Sequence, residues 1–102
     1  MPHPNKKAYL ASAEAALLAL DGRLDRLYGV AARLASEERR LAAERMLDTL
    51  RGIRNRAGAK LEDVRRAPED AWSGVKVHAE EAITELGAAV GRLESLLHAE
   101  AA

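Results

Sequence analysis

The chain has 102 residues and a mass of 11.0 kDa, enough for one small domain. It sets 16 Lys and Arg against 16 Asp and Glu and contains no Cys. That excludes disulfides, thiolate metal sites, a cysteine nucleophile and the strong positive charge of a protein that coats nucleic acid.

Of its apolar residues, 22 are Ala and 15 are Leu; there is one Trp, two Tyr and no Phe. This is the composition of helical bundles and coiled coils, so residues 1–102 are read as a single all-α domain. Pro2 and Pro4 keep residues 1–4 out of a helix, as a disordered tail. Lys6 and Lys7 before an Ala/Leu-rich stretch faintly echo a signal peptide, but Glu14 and Asp21 interrupt the apolar region. No apolar run approaches the roughly 18–20 residues of a bilayer span, and the expected location is cytoplasmic.

Asn5 is placed as the N-cap of the first helix, because its side chain can accept from a free backbone N–H one turn on. No Pro occurs from Lys6 to Arg66, where the glycines are Gly22, Gly29, Gly52 and Gly58. Two apolar stripes mark this stretch. Leu10, Leu17, Leu24 and Ala31 repeat at seven, as do Ala13, Leu20, Leu27, Leu34 and Leu41; farther on come Met46, Leu50, Ile53, Ala57, Leu61 and Val64. The two stripes are out of phase by roughly 150° around a helix.

Two architectures accommodate that phase change. Residues 35–47 contain strong helix formers and no Gly, Pro, Asn or Asp, which favours one continuous helix over about 5–66, roughly 90 Å long. Ser36 followed by Glu37 and Glu38 has the form of an N-cap, which favours a break near 35–45 and a three-helix bundle. Continuity makes the fold a long antiparallel helical hairpin or coiled coil. Leu10, Leu17, Leu20, Leu24, Leu27 and Leu34 would then have no partner within the chain, and a homodimer would bury them. The three-helix alternative buries the same stripe internally.

Ala67-Pro68-Glu69-Asp70 ends one helix near Arg66 and starts another at Pro68, with acidic residues at the N-terminus where the helix dipole favours them. This helix is read to about His98, with residues 99–102 frayed. Val75, Ala79, Ala82, Leu86, Ala89, Leu93 and Leu96 form its seam, spaced alternately by four and three. Trp72 is expected to be buried at the hinge against Leu61 and Val64.

Charge is segregated: residues 1–35 carry +2, residues 36–67 carry +3 and residues 68–102 carry −5. The plain consequence is orientation, the acidic last helix lying on the basic middle. Arg51, Arg54, Arg56, Lys60, Arg65 and Arg66 point around the helix and lack interleaved aromatics, so nucleic acid is not the expected partner. His78, Glu81 and Glu85 share one side of a helix, and Glu94 and His98 stand one turn apart. Either set is a candidate metal ligand group, with a solvated polar face as the plainer reading; His3 lies in the tail. No catalytic constellation is present and no cofactor is expected. Arg-flanked Leu stripes also suit a membrane surface, although their narrow, heptad-spaced, Ala-rich faces suit helix partners better.

Residues 60–62 and the stretch Glu69-Asp70-Ala71-Trp72-Ser73-Gly74-Val75-Lys76, followed by Ala82-Ile83-Thr84-Glu85-Leu86, resemble a family of small bacterial coiled-coil proteins labelled stress-response or uncharacterised. The family pattern repeats Ala-Trp eleven residues on, where this chain has Ala82-Ile83. The resemblance implies a helical hairpin with a stress-linked or scaffolding role and carries over no catalytic residue. The expectation is a non-enzymatic, self-associating structural or interaction protein. Lipid binding at a membrane surface is the alternative, with weak nucleic-acid or metal binding behind it.

Overall fold

A computed structural model describes residues 5–101. The chain forms three α-helices: α1 (Lys6–Ala32), α2 (Glu37–Arg66) and α3 (Trp72–Ala101). Among the described residues there is no strand. Successive helices run antiparallel and pack together as a three-helix bundle with a long axis of 53 Å. The proposed tail, residues 1–4, lies outside the described residues, as do His3 and Ala102. Residues 99–101 continue α3.

The local signals explain the helix ends. The Asn5 side chain accepts from the Ala8 N–H at 2.8 Å, capping α1. The Ser36 hydroxyl accepts from the Arg39 N–H at 3.3 Å, capping α2. The expected continuous helix over 5–66 is therefore two helices, parted at residues 33–36, and the three-helix alternative describes the chain. This loop forms without Gly, Pro, Asn or Asp because side chains satisfy its backbone. The Arg40 guanidinium donates to the carbonyls of Leu34 and Ala35 at 2.7 and 3.3 Å, and Leu34 is buried as an anchor. No described residue has a positive φ.

The second break falls where Pro68 requires it. Ala67 adopts extended backbone, φ −67° and ψ 142°, as a residue before proline prefers. Residues 68–71 form a turn, in which the Trp72 N–H donates to the Pro68 carbonyl at 3.0 Å, and α3 proper starts at Trp72 rather than Pro68.

The phase change between the two stripes marks the loop, since each helix presents its own seam to a common core. The α1 seam is Tyr9, Ala13, Leu17, Leu20, Leu24, Leu27 and Ala31; the α2 seam is Ala43, Leu47, Leu50, Ala57, Leu61 and Val64. In α3, Trp72, Ala79, Ala82, Leu86, Ala89, Val90, Leu93 and Leu97 are buried. The expected seams are displaced by one residue at three places, Tyr9 being buried where Leu10 was expected, and Leu41 of the first stripe is exposed. Leu47 is fully buried where Met46 was expected, and Leu97 is buried where Leu96 was expected. Each helix here contacts two neighbours, so its apolar face is wider than a two-stranded seam, and the strict heptad drifts off it.

Candidate functional site

The expected sites are mostly absorbed into the fold. Leu17, Leu20, Leu24, Leu27 and Leu34 lie in the intrachain core, with Leu10 half-buried against it. The premise of the expected dimer, a stripe without a partner in its own chain, is therefore removed. Leu61, Val64 and Trp72 share one core cluster with Tyr9, whose ring centroid is 6.0 Å from that of Trp72. Lys76 Nζ stands 5.6 Å from both ring centroids, and Lys6 Nζ donates to the Ala67 carbonyl at 2.7 Å. Together these groups close the end of the bundle at the α2–α3 turn. Burial, with Glu80 nearby, pushes the Tyr9 phenol above its ordinary pKa.

Most of the polar candidates hold helices together. Arg54 donates to both Asp21 carboxylate oxygens at 2.7 and 2.9 Å, joining α2 to α1 and holding the Asp21 carboxyl below its ordinary pKa. Arg23 grips Glu94 in the same bidentate way at 2.9 and 2.5 Å, joining α1 to α3 and lowering the Glu94 pKa. Arg51 donates to the Tyr28 hydroxyl at 2.8 Å and lies over its ring, Arg65 pairs with Glu14 and Glu62, and Arg66 pairs with Glu62. The basic stretch is thus largely committed within the chain. His78, Glu81 and Glu85 are all exposed on α3, and Glu85 reaches Arg56 at 3.7 Å. Among the described residues, no three His, Asp or Glu side chains converge as metal ligands. Glu94 is taken by Arg23 and does not pair with His98.

The remaining feature is a groove between α2 and α3, on the face that α1 does not cover. One section, about 310 Å³, is lined by Met46, Thr49, Leu50, Ile53, Ala89, Arg92, Leu93 and Leu96. A second, about 430 Å³, continues from it past Ala42 and Ala43 to Arg39, Glu38 and Glu100. Met46 and Leu96 line both sections, and each is 42% exposed. Their placement follows from the adjacent apolar pairs Met46-Leu47 and Leu96-Leu97. Neighbours on a helix diverge by about 100°, so one member enters the core and the other stands beside it. Sequence periodicity placed Met46 and Leu96 in the core and did not single out Thr49 or Arg92. The doublets were the available signal.

The groove walls differ in charge. The charged lining residues are Glu38 and Arg39 on the α2 wall and Arg92 and Glu100 on the α3 wall; beyond the lined sections the helical spacing continues the α2 wall with Arg56 and Lys60 and the α3 wall with Glu85 and Glu81, for a net positive and a net negative wall. Arg56 and Glu85 form the weak ion pair described above. Arg39, Lys60, Glu81, Arg92 and Glu100 have no ion-pair partner among the described residues. No described helix is long and apolar enough to cross a membrane. In comparisons with known proteins, no family model, curated protein or solved structure matches the chain.

Proposed function

We propose that the chain is a non-enzymatic helical interaction module, whose α2–α3 groove receives an apolar helical surface. The observation that carries this reading is the pair Met46 and Leu96, large apolar side chains that line one groove from opposite walls and are each 42% exposed. Covering them removes apolar area from water, worth about 25 cal/mol per Å² before the costs of association. A third surface laid into this groove would turn three helices into a four-helix arrangement, a packing for which Ala-rich, Leu-rich seams are well suited. Two features favour a helical partner over a lipid surface: the apolar strip is narrow, and charges of both signs border it.

The test uses the methyl group of Met46, since the chain's other methionine is Met1. The methyl-labelled protein is titrated with an amphipathic helical peptide carrying an apolar Leu stripe. The Met46 resonance is expected to shift saturably, and Leu96→Glu is expected to abolish the shift while leaving the circular dichroism unchanged. A Met46 resonance unmoved by peptide and by protein concentration alike would overturn the reading.

A further inference from the structure

We infer that the surface received by this groove is the same groove of a second copy of the chain. The two copies are related by a two-fold axis parallel to the helices, so that α2 of each lies over α3 of the other. This inference rests on the groove reading above and adds the partner and its register.

The charge pattern selects the partner. The two walls carry opposite net charge, Glu38 and Arg92 each standing against the sign of its wall, and their charges are largely uncommitted within the chain, whereas Asp21–Arg54 and Arg23–Glu94, which tie α1 to its neighbours, are paired bidentately. A face with one basic and one acidic wall is complementary to itself, as an isologous interface must be. Two orientations of the two-fold axis bring groove against groove. An axis across the helices lays α2 on α2 and α3 on α3 with reversed direction. It sets Arg39 against the partner's Lys60 and Arg56, and Glu100 against the partner's Glu81 and Glu85. An axis along the helices lays the basic wall on the acidic wall.

Register then follows from the geometry of the single chain. Arg56 and Glu85 stand at one level, as their ion pair shows, and Met46 and Leu96 share another. An axis along the helices keeps every level unchanged. Met46 therefore meets the partner's Leu96, Ile53 meets the partner's Ala89, Arg39 meets the partner's Glu100, and Lys60 meets the partner's Glu81. The helices α2 and α3 of both copies form an antiparallel four-helix core, with each α1 on the outside. Glu38, beside Arg39, is the exception on the basic wall, and Arg92 is the exception on the acidic wall. The Arg92 stem lies beside Ala89, Leu93 and Leu96 in the apolar strip, where a long cationic side chain can cover apolar surface and keep its head in water.

The chain has no Cys, so introduced thiols report contacts without background. Met46→Cys and Leu96→Cys proteins are mixed in equal amounts and mildly oxidised. The mixture is expected to give a cross-linked dimer in much higher yield than either variant alone. A dominant Met46→Cys homodimer would overturn the stated axis. Sedimentation equilibrium of the unmodified protein is expected to show a species of about twice 11.0 kDa whose fraction rises with concentration. Leu96→Glu should weaken association by at least about tenfold. Arg39→Glu should weaken it about three- to fivefold, with recovery in Arg39→Glu/Glu100→Arg, as for rim ion pairs. A mass of 11.0 kDa at all concentrations overturns the second copy as occupant, and a peptide-induced shift of Met46 would then still support the groove reading.

Discussion

Leu47→Ala and Met46→Ala alter neighbouring residues and should differ several-fold in cost. Leu47 is 0% exposed and belongs to the core cluster, whereas Met46 is 42% exposed at the groove. Truncating Leu47 removes three carbon groups from the core, at about 0.8 kcal/mol each in transfer free energy, or roughly 2.4 kcal/mol. The cavity left behind adds up to about 2 kcal/mol, giving about 2.5–4.5 kcal/mol in all. A domain of this length has a total stability of about 5–15 kcal/mol, so the variant loses a large share of it. With about 4–8 °C per kcal/mol, its midpoint should fall by roughly 10–35 °C. Met46→Ala should cost less than about 1 kcal/mol at a concentration where the chain is monomeric. Urea titration followed by far-UV circular dichroism and by Trp72 emission measures both. Equal losses, or a larger loss for Met46→Ala, would refute the placement of the α2 seam and with it the exposure of the groove.

Ser36→Ala should destabilise the protein by about 0.5–2 kcal/mol by leaving the Arg39 N–H without its cap, visible as a lower urea midpoint. Gly52→Ala should raise stability by up to about 1 kcal/mol, because the added methyl meets nothing within 4 Å in an exposed helix interior. Asp21 and Glu94 are depressed in the fold, so on acidification the unfolded chain takes up their protons first. Their contribution, at most about 1 kcal/mol for each pair, is complete above the ordinary carboxylate range. It should shrink as pH falls below 4.5, and the loss should be smaller in Asp21→Asn, as pH-dependent urea titration would show. Tyr9 has the opposite sign: its raised pKa means that the unfolded phenol ionises first above pH 10. Stability should therefore fall there, and the fall should be smaller in Tyr9→Phe.

The helical class, the caps at Asn5 and Ser36, the end of α2 at Arg66 and the burial of Trp72 were legible in the sequence, because each rests on local chemistry. The loop at 33–36 was harder to read. What closes it is Arg40 reaching back to two carbonyls, and an arginine among good helix formers reads as helix. Tyr9 gave no signal either, since its burial comes from packing beside Trp72, 63 positions away in the sequence. The groove was hidden by the assumption of a single seam. A helix with two neighbours buries a wider arc, and only the arrangement of three helices decides which member of Met46-Leu47 or Leu96-Leu97 faces inward. The carboxylates chosen for metal binding lie on a single helix, and ligands from one face of one helix do not by themselves enclose an ion.

Among the described residues, the Tyr9 phenol aside, the buried core is apolar. In a three-helix bundle the last helix can lie on either side of the hairpin formed by the first two, giving arrangements of opposite hand. Leu and Ala make no directional polar contact that would select one of them. The hand is then set at the surface, by the Asp21–Arg54 and Arg23–Glu94 clamps that tie α1 to each neighbour, and by the fit of Tyr9 to Trp72 at the closed end. These clamps matter more for uniqueness than for stability. Breaking them would leave the helices and the apolar core in place but bring the two hands closer in energy, so that the chain could populate both.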